Sequence, residues 1–579
     1  MYLRTVTRKN KDGSSVKYYQ LAHNERDPNT KKPVAHVIHN FGRADRLERE
    51  ALIRLCKSIA RVCGVAVLDA DEQQEINAPV GKTGIWLYDK VKFIKTVELG
   101  NVMVIKEMWE RLGIGKTLRE VQKKNGCKVD YEKALLAMVA NRLCEPESKL
   151  GVWDRWLSRV YLPSCNNLCL RNMYDAMDML QNASEHVERS IFFHTANLFN
   201  LEVDLIFYDT TTASFSIDYE DEMYIGNEKE NDYEASEPPL RKYGHSKEGA
   251  WSPQVVVALA VTREGLPVRC WVFPGNTSDV DTVKRVRTDL RGWKLGRALF
   301  VADSGMNSKE NRKELARACG KYLLATRMAS VSEVKKDVLS RRGPYKVIND
   351  NLHAKEVFVG DGERRRRYVL CYNPKEAERQ RKHREEILVK LEAELNKHSD
   401  KAATTQWAIE LLASRRFKRY LKITKSKKVC LNRKAVRETG RYDGKWVIET
   451  NDDSISFEDA ACGYKGLLVI ERCFRSLKRT QIKMNPMYHW VDRRIESHVR
   501  ICVLALLIQR VVEMECNSTW SVIRNKLRNL QVTECHTPYH IFFKLNEIEG
   551  EVKGTLKKLG ITLPKSILGV IDVPKESKK

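Results

Sequence analysis

The sequence predicts an α/β protein: a mixed sheet flanked by helices, with an inserted α+β module and a mainly helical region ahead of it. Three observations carry this expectation. Hydrophobic β-runs occur at Val203–Tyr208, Gln254–Thr262, Pro267–Phe273 and 297–302, and the last leads into a helix from about Ser308 to Cys319. A strongly charged stretch, 328–444, separates them from one more strand-like run, Lys445–Thr450. Between Asn101 and about Asn200 the apolar residues recur at helical spacing, interrupted at Gly113-Ile114-Gly115, Pro146 and Pro163.

In chain order, residues 1–45 read as a small basic β-rich segment. Tyr2–Thr7, Lys17–Ala22 and Val34–His39 alternate like strands, with a hairpin signal at Asp12-Gly13 and a turn at Asp27-Pro28-Asn29. Residues 46–200 form the helical region, with a helix over Leu47–Val62 and a linker over Asp69–Thr83. The sheet's first part spans 201–327, the module 328–444, and the second part 445–515. Within the module, Val357–Gly360 and Arg364–Cys371 flank Asp361-Gly362 as a hairpin, followed by a charged helix over Lys375–Asn396 and a second over Thr405–Leu412. Side chains alternate along a strand, so two of the four arginines Arg364–Arg367 are expected toward a polyanion and two elsewhere. Two apolar-striped helices follow, about Ser456–Arg479 and Arg493–Glu513, and 516–579 reads as helix and loop fading into a frayed Lys575–Lys579.

The 579 residues carry 102 Lys+Arg against 76 Asp+Glu, a net charge of +26, which points to a polyanionic partner. A 42% hydrophobic content supports real cores and excludes wholesale disorder. The longest apolar stretches, Val255–Val261 and Ile501–Ile508, fall far short of the ~20 residues that span a bilayer. The first residues lack a signal-peptide apolar region, and fifteen scattered cysteines suggest no disulfide framework, so a reducing cytoplasm is expected. Zinc is not expected: Cys165 and Cys169 have no second pair, and Cys535-His536 with His540 lacks a fourth ligand at a usual spacing.

Three carboxylates stand out. Hydrophobic runs deliver Asp209 (Ile206-Phe207-Tyr208-Asp209) and Asp303 (Leu299–Asp303) at their carboxyl ends, where α/β sheets collect functional side chains. Read alone, either aspartate is more often a turn or helix cap. The third is Glu471, with Tyr464 and Lys478 seven residues to either side; at ~100° per residue the three share one helical stripe. Leu467, Ile470, Phe474 and Leu477 form an apolar flank beside it, and Arg472, Arg475 and Arg479 a basic one. Asp452, Asp453 and Glu458 are rival acids but lie ahead of the stripe and lack its spacing. Tyr243-Gly244-His245-Ser246-Lys247 lies between two strands, and Asn276–Asp279 reads as a capped turn.

This set resembles the DDE transposases of bacterial and archaeal insertion sequences, in the branch marked by Y-x2-R-x3-E-x6-K around the catalytic glutamate. Here Tyr464, Glu471 and Lys478 match, and Leu467 stands where the family has Arg. The likeness extends to Tyr208–Thr212, to Trp271–Asp279 and to the strand ending at Asp303, about residues 200–515. The resemblance implies an RNase H-like core in which Asp209, Asp303 and Glu471 are catalytic and hold two Mg²⁺ (or Mn²⁺) ions. It implies that Asp209 bridges the ions, and that Tyr464 and Lys478, with Arg472 and Arg475 beside them, contact DNA. The expected partner is double-stranded DNA, as inverted-repeat ends and as target, with residues 46–200 binding the ends and the chain dimerising on DNA. The expected setting is the cytoplasm, at the nucleoid when DNA-bound. The rival readings are a domesticated RNase H-like nuclease or recombinase, and a DNA-binding protein with a decayed site.

Overall fold

A computed structural model describes residues 2–9, 15–26, 33–44, 91–127, 129–217, 219–221, 239–398, 402–537 and 539–572. The expected helix over 47–62, the linker over 69–83, the turns at 12–13 and 27–29 and the 575–579 tail lie outside them. The chain divides into two units, Met1–Leu87 and Tyr88–Lys579. In the first, β1 (Tyr2–Lys9), β2 (Ser15–Arg26) and β3 (Pro33–Arg43) form an antiparallel sheet in the order β1-β2-β3. About half of its residues with a described burial are exposed, Ala22 is buried, and Arg8 lies over the Tyr18 ring.

The second unit starts with β4 (Lys92–Glu98), followed by helices Gly100–Arg111, Ile114–Lys124, Tyr131–Cys144, Leu170–Asn182 and Ser184–Leu198. Next comes the large sheet: β5 (Leu205–Ser214), β6 (Lys242–His245), β7 (Trp251–Val261), β8 (Pro267–Pro274), β9 (Leu299–Ala302) and β10 (Tyr322–Thr326). β5, β7 and β8 form an antiparallel meander, β6 pairs with the start of β7, β9 runs parallel to β5, and β10 parallel to β9. This large mixed sheet with helices on it fits an RNase H-like core. β10 was not among the expected strands: Tyr-Leu-Leu-Ala-Thr is buried throughout, so it shows no alternation to read.

The charged stretch extends this sheet. β11 (Lys346–Asn349), β12 (Leu352–Val359), β13 (Arg366–Tyr372) and β16 (Lys445–Thr450) continue it antiparallel beyond β10, in the order β11-β12-β13-β16-β10. Between β13 and β16 the helices Pro374–Lys397 and Gln406–Ala413 and the ribbon β14 (Leu421–Ile423) with β15 (Val429–Leu431) share a small core around Ile387, Leu391, Leu411 and Tyr420. The arginines do not divide as expected. Arg365 pairs with Asp453 and Arg366 with Glu333, each at 2.8 Å, and Arg367 is buried against Glu356 and the carbonyls of Asp452 and Ile455. The C-terminal region also differs from the helix and loop expected. β17 (Gln531–His536), β18 (His540–Leu545) and β19 (Ile567–Asp572) join β4 in a four-stranded sheet, a long-range pairing that local sequence does not signal.

The helix of Glu471 is broken where a continuous one was expected. It runs Phe457–Lys465 and Leu468–Arg475, then loosens into a π-turn over Ser476–Thr480. At the break Gly466 meets β5 so closely that an added Cβ would stand 2.5 Å from the Phe207 ring. The π-turn takes up an additional residue, so Lys478 leaves the stripe that uniform winding predicts. Helix Asp492–Cys516 backs this region, packing against Leu170–Asn182, Tyr131–Cys144 and β8. Overpacking typically costs about 1–3 kcal/mol. Gly466→Ala is therefore expected to lower stability by that order in denaturant unfolding, and a Phe207→Leu background should narrow the loss; an equal loss in both backgrounds would show that Phe207 is not the obstacle.

Candidate active site

The site begins with a backbone register. β5 and β9 pair in parallel from Leu205↔Leu299 to Tyr208↔Ala302, so the next residues, Asp209 and Asp303, leave the pair side by side. β9 ends there, whereas β5 continues to Ser214 against β7, with Asp209 opposite Leu259. Thr210–Thr212 thus prolong the strand past the run read as ending at Asp209, because β7 supplies their ladder partners. Asp303 opens onto a single turn, Ser304–Met306, and is exposed; Asp209 is half-buried.

The Glu471 helix completes the cluster. Tyr464 donates its hydroxyl to Asp303 Oδ1 at 3.2 Å. Burial, and then the charges of Asp303, Asp209 and Glu471, push that hydroxyl well above the usual tyrosine range. Burial raises Asp209 to about 6; Lys247 and the Thr210 N–H pull the other way, and the Asp279 and Asp303 charges add to the rise. Glu471 is exposed, at the border of the apolar flank (Ile470, Phe474 and Leu477 buried, Leu467 half-buried) and the exposed arginines.

One acid was missed in the sequence, and one loop was singled out without its partners. Asp279 is indeed the first residue of helix Asp279–Gly292, but its carboxylate also accepts from the Thr210 hydroxyl and from Lys247 Nζ at 2.7 Å, making it a fourth acid beside Asp209. The loop between β6 and β7 inserts here as well. Lys247 N donates to Thr212 Oγ1 at 3.0 Å, and Glu248 pairs with Lys478 and Arg479 at 3.1 Å each. The adjoining opposite charges Lys247-Glu248 were the available signal. Of the cations expected to meet DNA, Lys478 is therefore engaged by Glu248, while Arg472 and Arg475 are exposed and hold no ion pair among the described residues.

Hard carboxylate oxygens suit Mg²⁺ or Mn²⁺, and a half-buried aspartate raised in this way is a group whose charge a cation would compensate. The donor set therefore fits. Among the described residues, no three Asp, Glu, His or Cys side chains enclose a metal-sized point as they stand; Tyr464 occupies one Asp303 oxygen and Lys247 pairs with Asp279.

Residues 232–506 match the transposase DDE domain, a span that includes Asp303 and Glu471 and begins after Asp209. The chain is a DDE transposase, an enzyme that cleaves and joins DNA strands in transposition. Residues 3–72 match the N-terminal domain of IS1634 family transposases, so it is a transposase of the insertion-sequence kind. Transposases of this domain family act on DNA and use divalent metal ions. No curated protein matches the sequence. A cryo-EM structure of a piggyBac transposase synaptic complex with hairpin DNA is similar at 10% identity and a TM-score of 0.33, covering 74% of this chain and 79% of that one. Among the described residues no helix is long and apolar enough to cross a membrane.

With an ordinary value of 3.8 and a folded value of about 6, Asp209 keeps a proton in the folded state that the unfolded chain has lost across that interval. Stability conferred by the neutral form is thus present below the unfolded value and lost as pH rises through the folded one. Asp209→Asn is expected to raise the thermal midpoint over wild type at about pH 8 in chelator, with the gain vanishing near about pH 4. A pH-independent difference would show that the buried charge is not its source.

Proposed function

We propose that Asp209, Asp303 and Glu471 are the catalytic carboxylates and that they hold two divalent cations, Mg²⁺ or Mn²⁺. The observation that carries this reading is the parallel register that sets Asp209 beside Asp303, with Tyr464 sensing both and Glu471. Such cations, when bound, activate the attacking oxygen and stabilise the leaving one. The chain's own residues do the positioning. Asp209 and Asp303 are aimed by sheet hydrogen bonds, Tyr464 orients Asp303, and the Thr210 N–H and Lys247 steady Asp209 and Asp279.

Tyr464, Lys478, Arg472 and Arg475 are the DNA contacts of the site in this reading. Lys478 serves as a point charge for a phosphate, which must displace Glu248, and Arg472 and Arg475 supply cations already facing solvent. The basic N-terminal sheet and the helical region bind the inverted-repeat ends of the element. Because two ends are cut together, the working form is a homodimer on DNA, in the cytoplasm at the nucleoid.

Three outcomes test this. Asp209→Ala and Glu471→Gln should abolish cation-dependent cleavage of an element end while retaining DNA binding; cleavage at the wild-type rate would sink the assignment. Mg²⁺ or Mn²⁺ should raise the thermal midpoint of wild type at neutral pH and leave that of Asp209→Asn nearly unmoved, a readout that needs no turnover. Glu248→Gln should tighten duplex binding severalfold at low salt, an advantage that shrinks as salt screens the competing charges; unchanged affinity would mean that Lys478 does not meet the phosphate.

A further inference from the structure

The hairpin that carries Lys247 and Glu248 into the site also displays rings to solvent. Trp251, the first residue of β7, is 61% exposed, whereas Trp109, Trp156, Trp293 and Trp520 are almost wholly buried. It lies nearly parallel to the Tyr243 ring, with centroids 6.2 Å apart and planes at 15°, and His245 meets it edge-on at 4.7 Å. The β6–β7 ladder places His245 opposite Trp251 and Tyr243 opposite Pro253, so the cluster is built on paired backbone.

We propose that Trp251, with Tyr243 and His245, is a stacking surface for an unpaired nucleobase of the DNA held at the Asp209–Asp303–Glu471 site; this rests on the DNA-cleaving reading of that site. A nucleobase needs a flat apolar face, and the backbone attached to it needs cations. The hairpin joins the two requirements, since its loop touches Lys478 and Arg479 through Glu248 while Lys247 reaches Asp279. That charge complementarity favours nucleic acid over an apolar protein partner. Within a duplex a base is paired and covered on both faces by its neighbours, so the surface accepts only a base that has lost its pairing partner, in an overhang or a flap. Strand cleavage at the neighbouring acids creates such bases.

The test uses the full chain in chelator, with a duplex ending in a short overhang that contains 2-aminopurine, and with its blunt counterpart. Wild type should bind the overhang duplex more tightly and quench the 2-aminopurine. Trp251→Ala should lose the quench and about tenfold of the overhang affinity, the scale of base–aromatic stacking, leave blunt-duplex affinity unchanged, and be largely rescued in Trp251→Phe. Equal loss for both duplexes, no loss for either, or an effect confined to self-association would overturn the stacking surface. If wild type binds neither duplex, the DNA-cleaving reading falls and the stacking surface with it. If wild type binds both and cleaves with cation while Trp251→Ala behaves as wild type, only the stacking surface falls.

Discussion

The parallel pairing of β5 with β9 is the constraint on which the rest of the site depends. Both strands are hydrophobic and lie inside the sheet, so the backbone at Tyr208 and Ala302 has little freedom once the ladder closes. Two aspartates that are 94 residues apart in the chain, 209 and 303, thereby become neighbours with no contribution from their own side chains. The unequal strand lengths then separate their environments. β9 stops and leaves Asp303 exposed, whereas β5 runs on beneath Asp209 and withdraws it from water. Holding a carboxylate there is unfavourable, as its raised titration shows. Such a cost is typical where a site is prepared for a charged ligand.

A second constraint fixes the third acid. Glu471 stands on a helix that must approach β5 closely, and Gly466 permits this where any side chain would meet Phe207. From the other side Ser476 donates to Gln509 of the buried helix Asp492–Cys516, at 2.6 Å. The segment is thus held against the sheet at its start and against the helical region at its end. The π-turn that begins at the second of these anchors carries Lys478 to the β6–β7 loop, where it pairs with Glu248.

What could be read from the sequence follows from how local each signal is. β7, β8 and β16 were legible because apolar runs bounded by turns imply strands within a few residues. Asp209 and Asp303 were legible as strand-borne acids, but their adjacency belongs to a register that no short window contains. The sheet joining Lys92–Glu98 to 531–572 was invisible for the same reason. The helix stripe was read with uniform winding, and Gly466 and Ser476 defeated it through contacts with Phe207 and Gln509. Asp279 was read correctly as a helix start and incompletely as nothing more, because its second role comes from Thr210 and Lys247, 69 and 32 residues away.

The net charge of +26 takes on a different meaning once partners are assigned. Arg365, Arg366 and Arg367, the most conspicuous basic run, are consumed in joining the sheet extension to Asp453, Glu333 and Glu356. Lys247, Lys478 and Arg479 are likewise matched by Asp279 and Glu248. A phosphate arriving at Lys478 therefore gains only the difference between its own attraction and that of the carboxylate it displaces. In the proposed reading such an exchange contributes little to overall affinity but favours a backbone that follows the Glu471 helix, replacing Glu248 while also meeting Arg472 and Arg475. On that reading attraction over distance comes from the exposed excess, and placement at the acids from the exchange at Lys478 beside the exposed Arg472 and Arg475.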